Sequence, residues 1–198
     1  MGLDLENTAG QTPIDEAENE GLLIPTIASR NELNEFEQHN IEQAVQWTMS
    51  RSFKPETVFT EDFVRMVHKR MYADVWAWAG VFRKTNKNMG IDHRRISTGL
   101  KYLLDDARYW YENNSYPPDE IAVRFKHRLV SIHCCSNGNG RHSRLIADII
   151  IEKIYKQPVF SWGAANLSGQ GAARSAYLQA IKAADENDYR LLLTFARS

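Results

Sequence analysis

The sequence predicts an all-α helical bundle carrying one small β-hairpin flap near its functional loop. Three observations lead there. Most of the 198-residue chain repeats apolar residues at helical spacing. One stretch, "VFRKTNKNMGIDHRRIS" (81–97), drops that spacing for asparagines, a glycine and an Asp-His pair, which suits a hairpin or an irregular loop. A third stretch, "HCCSNGNGRHSR" (133–144), breaks two strongly helical segments with alternating glycines and asparagines.

Taken in order, residues 1–28 read as an acidic, turn-rich N-terminal arm in which Leu22, Leu23 and Ile24 give the chain something to bury. Residues 29–198 then form one helical domain. Its first helix, in "SRNELNEFEQHNIEQAVQWTMSR", is expected to bury Leu33, Phe36, Ile41, Ala44, Val45 and Thr48. The second starts at an N-cap, Thr60, repeats Phe63, Val67 and Met71, and is expected to stop at Gly80. Trp76, Trp78 and Trp110 read as core. After the flap, Leu100, Leu103, Leu104, Ala107 and Tyr111 share a face, and Ile121, Phe125, Leu129 and Ile132 share the next. The latter helix opens with proline and two acids, as helix starts prefer. "RHSRLIADIIIEKIYK", "GAARSAYLQAIKAADEN" and "DYRLLLTFARS" complete the helices.

Hydrophobic residues make up 43% of the chain, enough for one buried core. Lys and Arg number 24 against 25 Asp and Glu, so the long-range field of a general nucleic-acid binder is missing. "MGLDLENTAG" has neither the basic nor the apolar part of a secretory signal, and "LIADIII" is too short to span a bilayer. Cys134 and Cys135 are adjacent and cannot form an ordinary disulfide with each other. The expectation is a cytoplasmic protein with no membrane partner.

The glycine-rich loop is where chemistry is expected. The helix after it begins near Gly140 or Arg141, where amides lacking intrahelical acceptors and the helix dipole favour an anion. Arg141 and Arg144 lie three apart, at the end of a helix where cations are locally unfavourable, and a bound phosphate would relieve that conflict. His133, closing the preceding helix, is a candidate general base. The alternative stays open at this point: His133 as a helix C-cap, and arginines paired with acids of neighbouring helices.

The same residues resemble the signature H-P-F-x-(D/E)-G-N-G-R-x-x-R of the Fic family. His133, Gly138, Asn139, Gly140, Arg141 and Arg144 match it at the right spacing. "WAGVFR" looks like the approach to that family's flap, and "TPIDEAENEGLLIP" resembles the arm of short bacterial members named mobile mystery protein B. The resemblance implies a Fic-like bundle and a protein adenylyltransferase that moves AMP from ATP to a Ser, Thr or Tyr hydroxyl. In it His133 is the base. Asn137, Gly138, Asn139, Gly140, Arg141 and Arg144 hold the nucleotide, and Asn88, Met89 and Gly90 dock the target along the flap. ATP as substrate and Mg²⁺ are implied with it; self-modification and a homodimer stay open, and the sequence does not identify the target protein.

Three departures bear on this. Cys134 and Cys135 replace the family's Pro and Phe, and Asn137 replaces the Mg²⁺-ligating carboxylate, leaving a neutral amide as the only metal ligand at that place. They motivate the alternative of a weak or degenerate Fic protein that binds nucleotide as a regulatory or interaction module. The family's inhibitory (S/T)-x-x-x-E-(G/N) pattern is met only in part: an acidic, solvated arm is the first reading, and Glu20 paired with Arg144 is the inhibitory alternative. His68, His127 and His142 share no metal-ligand spacing and are expected to be solvated or locally bonded. Arg94 and Arg95 are available to a nucleic acid or an acidic target, with a plain exposed turn as the alternative.

Overall fold

The structure is a computed structural model that describes residues 21–164 and 172–198; within them it is helical, without a strand. Helix α1 spans Arg30–Met49, α2 is the single turn Pro55–Val58, and α3 is Glu61–Tyr72. A 3₁₀ turn, His93–Arg95, leads into α4, Ile96–Glu112, and then α5, Pro118–Ile132. Helix α6, Asn139–Ile149, continues through a π-helical turn, Ile150–Ile154, and α7, Ala172–Asp185, and α8, Arg190–Arg197, follow. No helix among the described residues is long and apolar enough to cross a membrane.

Helix α5 lies along α6 and against α4; α1 lies along α3, which also touches α6. The faces they share hold Val64, Val67 and Met71 of α3, Leu100 and Leu103 of α4, Phe125 and Leu129 of α5, and Ile146, Ile149 and Ile150 at α6. Each fully buried aliphatic or aromatic side chain here contributes roughly 1.5–3 kcal/mol relative to exposure. The loop between α5 and α6 therefore joins two helices that pack on each other within the core.

Local chemistry sets the helix starts. Ser29 and Glu32 form a reciprocal capping box at α1. Thr60 accepts from the Phe63 amide at 3.2 Å, the N-cap expected at α3. The stripes expected for α4 and α5 are the buried ones, Tyr111 being partly covered.

Three expectations are corrected. Helix α1 buries Leu33, Glu37, Asn40, Ala44 and Thr48, whereas Phe36 is 45% and Val45 36% exposed. The inward face is turned by polar anchors. The Asn40 Nδ2 donates to the Arg70 carbonyl and to Asp74, and its Oδ1 accepts from the Asp74 amide. Glu37 accepts from Trp76 Nε1 at 2.7 Å.

The second correction is that α3 ends at Tyr72 rather than Gly80. "ADVWAWAG" turns back so that Trp76 stacks on Trp78 and reaches Glu37, and only after that does Gly80 turn with φ of 76°. The third concerns the flap. Residues 81–92 make one antiparallel bridge, Phe82 to Cys135, and no hairpin. Arg83 takes the carbonyls that a strand ladder would use. Its amide donates to the Cys134 carbonyl at 2.9 Å and its Nε to the His133 carbonyl at 2.6 Å, while its guanidinium donates to the carbonyls of Thr85 and Ile91.

These anchors predict an inversion of the usual apolar ranking on α1. Asn40→Ala strands buried partners and is expected to cost about 1–3 kcal/mol, while Phe36→Ala changes stability by less than about 0.5 kcal/mol. Denaturant titration of both variants is the check.

Candidate functional site

The loop 133–140 leaves α5 through a left-handed residue, His133 (φ 57°), and enters α6 through a second, Gly138 (φ 75°). Between them one buried amide sets its shape. Asn139 Oδ1 accepts from the Cys135 amide at 2.9 Å, and its Nδ2 donates to the Cys135 carbonyl at 2.7 Å. A single side chain thus satisfies both backbone groups of a buried residue, as a neighbouring strand would. The Asn139 side chain, 4% exposed, bonds within the loop through both of its amide atoms.

Two α3 residues support the loop from below. His68 Nε2 donates to the Asn137 carbonyl at 3.1 Å and its Nδ1 accepts from the Gly80 amide at 3.0 Å. Tyr72 lies under Gly138: a Cβ placed there would sit 2.4 Å from the Tyr72 ring and hydroxyl. Glycine is required at 138 both for its conformation and for this close approach. At Gly140, by contrast, an added Cβ meets nothing within 4 Å among the described residues. The first amides of a helix such as α6 lack intrahelical acceptors and carry the positive end of its dipole.

Arg141 pairs with Glu37 of α1 at 2.5 Å, its side chain one-third exposed and the carboxylate 2% exposed. Arg144 makes no hydrogen bond or ion pair among the described residues; its guanidinium carbon lies 5.8 Å from the centroid of the Tyr177 ring. Lys126 of α5 also lies over that ring, 4.4 Å from its centroid, and its Nζ donates to the Tyr177 hydroxyl.

His133 is 4% exposed. Its Nδ1 lies 3.3 Å from the Val130 carbonyl, which can only accept, so Nδ1 carries the proton and Nε2 the lone pair. Burial pushes its pKa down to about 4, against the raising effect of Val130, so the ring is neutral at pH 7. Gly90 crosses above it, where a Cβ would come within 2.4 Å of the His133 Cβ. Of the expected flap residues, Asn88 and Gly90 are exposed and Met89 half-buried. Of the alternatives raised from the sequence, His133 does cap α5, and of the two arginines only Arg141 pairs with an acid of a neighbouring helix among the described residues.

The donors do not fit a magnesium ion held by the protein. Asn137 Oδ1 accepts from the Gly138 amide at 2.7 Å, its Nδ2 is buried without a partner, and no cluster of three metal-ligating side chains forms among the described residues. Cys134 and Cys135 are buried thiols; burial pushes Cys134 up to about 12 and Cys135 well above its ordinary value, so neither is a ready nucleophile. His127 and His142 are locally bonded, to Asp185 and to the Val64 carbonyl. Glu20 lies outside the described residues.

Sequence reasoning missed Glu37 and Arg83. A signal for Glu37 was present: Leu33, Glu37, Asn40 and Ala44 share one helical face, so an acid in apolar register called for a buried partner.

The model of the Fic/DOC family matches residues 58–151. The protein adenylyltransferase Fic of Drosophila grimshawi is 30% identical over 120 residues, which cover 59% of this chain and 23% of that protein, so this chain spans under a quarter of its relative. The fold is that of solved Fic domains. Fic-1 of C. elegans superposes with a TM-score of 0.64 at 20% identity, over 88% of this chain and 50% of that one. BepC of Bartonella tribocorum, with bound AMPPNP, gives 0.67 at 16% identity over 91% and 96%.

Two outcomes test this geometry. Gly138→Ala must move Tyr72 and strain the αL turn, for about 2–4 kcal/mol by denaturation, while Gly140→Ala leaves stability within about 0.5 kcal/mol. The pH dependence follows from the buried imidazoles. Burial holds His68 and His133 at about 4 and His142 well below 6.5. The unfolded chain takes up their protons first, so the stability they give is full above pH 6.5 and is lost as pH falls toward 4. A fall from 6.5 to about 4 corresponds to roughly 3 kcal/mol per ring. Asp148, pushed up to about 7 by burial, works in the opposite direction over this window, but it is one group against four, since burial also lowers His127. Melting temperatures measured from pH 7 to 4.5 should fall.

Proposed function

Because this chain carries a Fic/DOC family domain over residues 58–151, we propose that it is a protein adenylyltransferase, moving AMP from ATP to a Ser, Thr or Tyr hydroxyl of a target protein. The observation that carries this reading is the open α6 mouth at Gly140, with Arg144 unpaired among the described residues and a neutral His133 on the other wall of the same loop. The adenylyltransferase name of the Drosophila grimshawi relative and the AMPPNP bound to BepC support it.

In this reading the polyphosphate lies across the first-turn amides of α6, and Arg141 and Arg144 offset its charge. His133 Nε2 takes the proton of the target hydroxyl. The hydroxyl oxygen attacks the α-phosphorus, the bond from that phosphorus to the bridging oxygen breaks, and pyrophosphate leaves. The chain's own part is positioning and charge. Gly90 covers His133, so a target side chain enters only as residues 84–91 shift, and the exposed Asn88 and Gly90 are the natural place for its backbone.

A second reading has its own support. The loop lacks a carboxylate, Glu37 occupies Arg141, and His133 is covered. A module that binds nucleotide and turns it over slowly, or not at all, fits these three facts.

One experiment separates the readings: incubation with ATP labelled on the α-phosphate, for wild type and His133→Ala, alongside calorimetric ATP titration. The enzyme reading expects label on protein, reduced at least about 100-fold in the variant, with ATP affinity kept. Equal label in both proteins contradicts a base at His133; ATP binding without label in either establishes the regulatory reading.

A further inference from the structure

Arg30 is the first residue of α1, and Glu37 follows seven residues later. Seven residues are nearly two full turns, so the two side chains share a face. Glu37 is the carboxylate that holds Arg141 at the mouth of α6. The Nε and Nη1 of Arg30 are both closed off from solvent, and neither has a hydrogen-bond partner. Burial pulls its pKa down; beyond that, its charge is felt most by Glu37, which attracts it, and by Arg141, which repels it.

A guanidinium is rarely left in this condition. Its donors suit the oxygens of carboxylate or phosphate, and buried ones without an acceptor weaken a fold. Among the described residues the carboxylate that acts on Arg30 is Glu37, which already accepts from Arg141 and from Trp76 Nε1. Arg30 and Arg141 therefore share one buried carboxylate, and only Arg141 is bonded to it.

The loop also lacks a carboxylate to hold a metal ion, since Asn137 stands there with its oxygen turned onto the Gly138 amide. A polyphosphate at this mouth needs its charge offset by protein cations, and Glu37 has neutralised one of them.

We propose that Arg30 is a third phosphate-binding arginine, contributed by α1, which grips the terminal part of a polyphosphate chain beyond Arg141. The proposal rests on the nucleotide reading above and deepens it: it selects for ATP or pyrophosphate over AMP. It also explains why an unpaired guanidinium is held there, because a binding site is commonly kept at the expense of stability.

The test is calorimetry with ATP, AMP and inorganic pyrophosphate on wild type, Arg30→Ala and Arg30→Lys, with melting temperatures measured without ligand. Arg30→Ala is expected to weaken ATP and pyrophosphate at least tenfold, to leave AMP within twofold, and to melt no lower than wild type. Arg30→Lys should recover part of the loss. Unchanged pyrophosphate affinity in Arg30→Ala overturns the proposal, as does a lower melting temperature with all three ligands weakened alike, the mark of a structural residue. Wild type that binds no pyrophosphate overturns it too. Arg30-dependent pyrophosphate binding without protein labelling would defeat the transferase reading and leave this one standing, whereas labelling with no Arg30 effect would do the reverse.

Discussion

One amide holds the functional loop in place. Asn139 bonds both backbone groups of Cys135, so the chain can leave α5 at His133, reverse, and enter α6 within a few residues. Two left-handed residues carry the reversal, and the Tyr72 ring beneath Gly138 leaves room for nothing larger than hydrogen. The supports come from elsewhere in the chain: His68 from α3 and Arg83 from the segment after it, each bonded to loop carbonyls. The loop is thus a rigid part of the core while its outer side, at Gly140, stays open. In the proposed function, that combination would let backbone amides act on a phosphate without first having to be ordered.

Charge is distributed unevenly around this frame. Glu37 is almost wholly buried and shared between Trp76 and Arg141, which fixes where one guanidinium stands. Arg144 and Arg30 have no such partner among the described residues. Around His133 burial is the main influence, keeping the ring neutral at pH 7 and able to accept a proton. The site divides into a cationic wall and a neutral imidazole, joined by one loop, which suits displacement at a phosphate better than metal-based or thiol chemistry with these side chains.

What could be read from the sequence was whatever depends on local pattern. The stripes of α4 and α5, the Thr60 cap and the glycine loop are local, and they are where expected. The errors share a cause, since each rests on a side chain that bonds a partner far along the chain. Phe36 and Val45 looked like core because they are apolar, yet Glu37 and Asn40 turn α1 toward Trp76, Asp74 and the Arg70 carbonyl. The flap looked like a hairpin because it is short and turn-rich, but Arg83 draws its two ends onto the end of α5. At Cys134 and Cys135 the two thiols are walled in, and the sequence alone left open whether they react.

The most direct measurement is a crystal structure of this chain with a non-hydrolysable ATP analogue. The account predicts phosphate oxygens on the α6 amides beside Gly140, Arg144 drawn onto them, and the Asn139 bonds to Cys135 unchanged. An analogue bound away from α6, or a loop that gives up the Asn139 bonds to make room for it, would contradict the account.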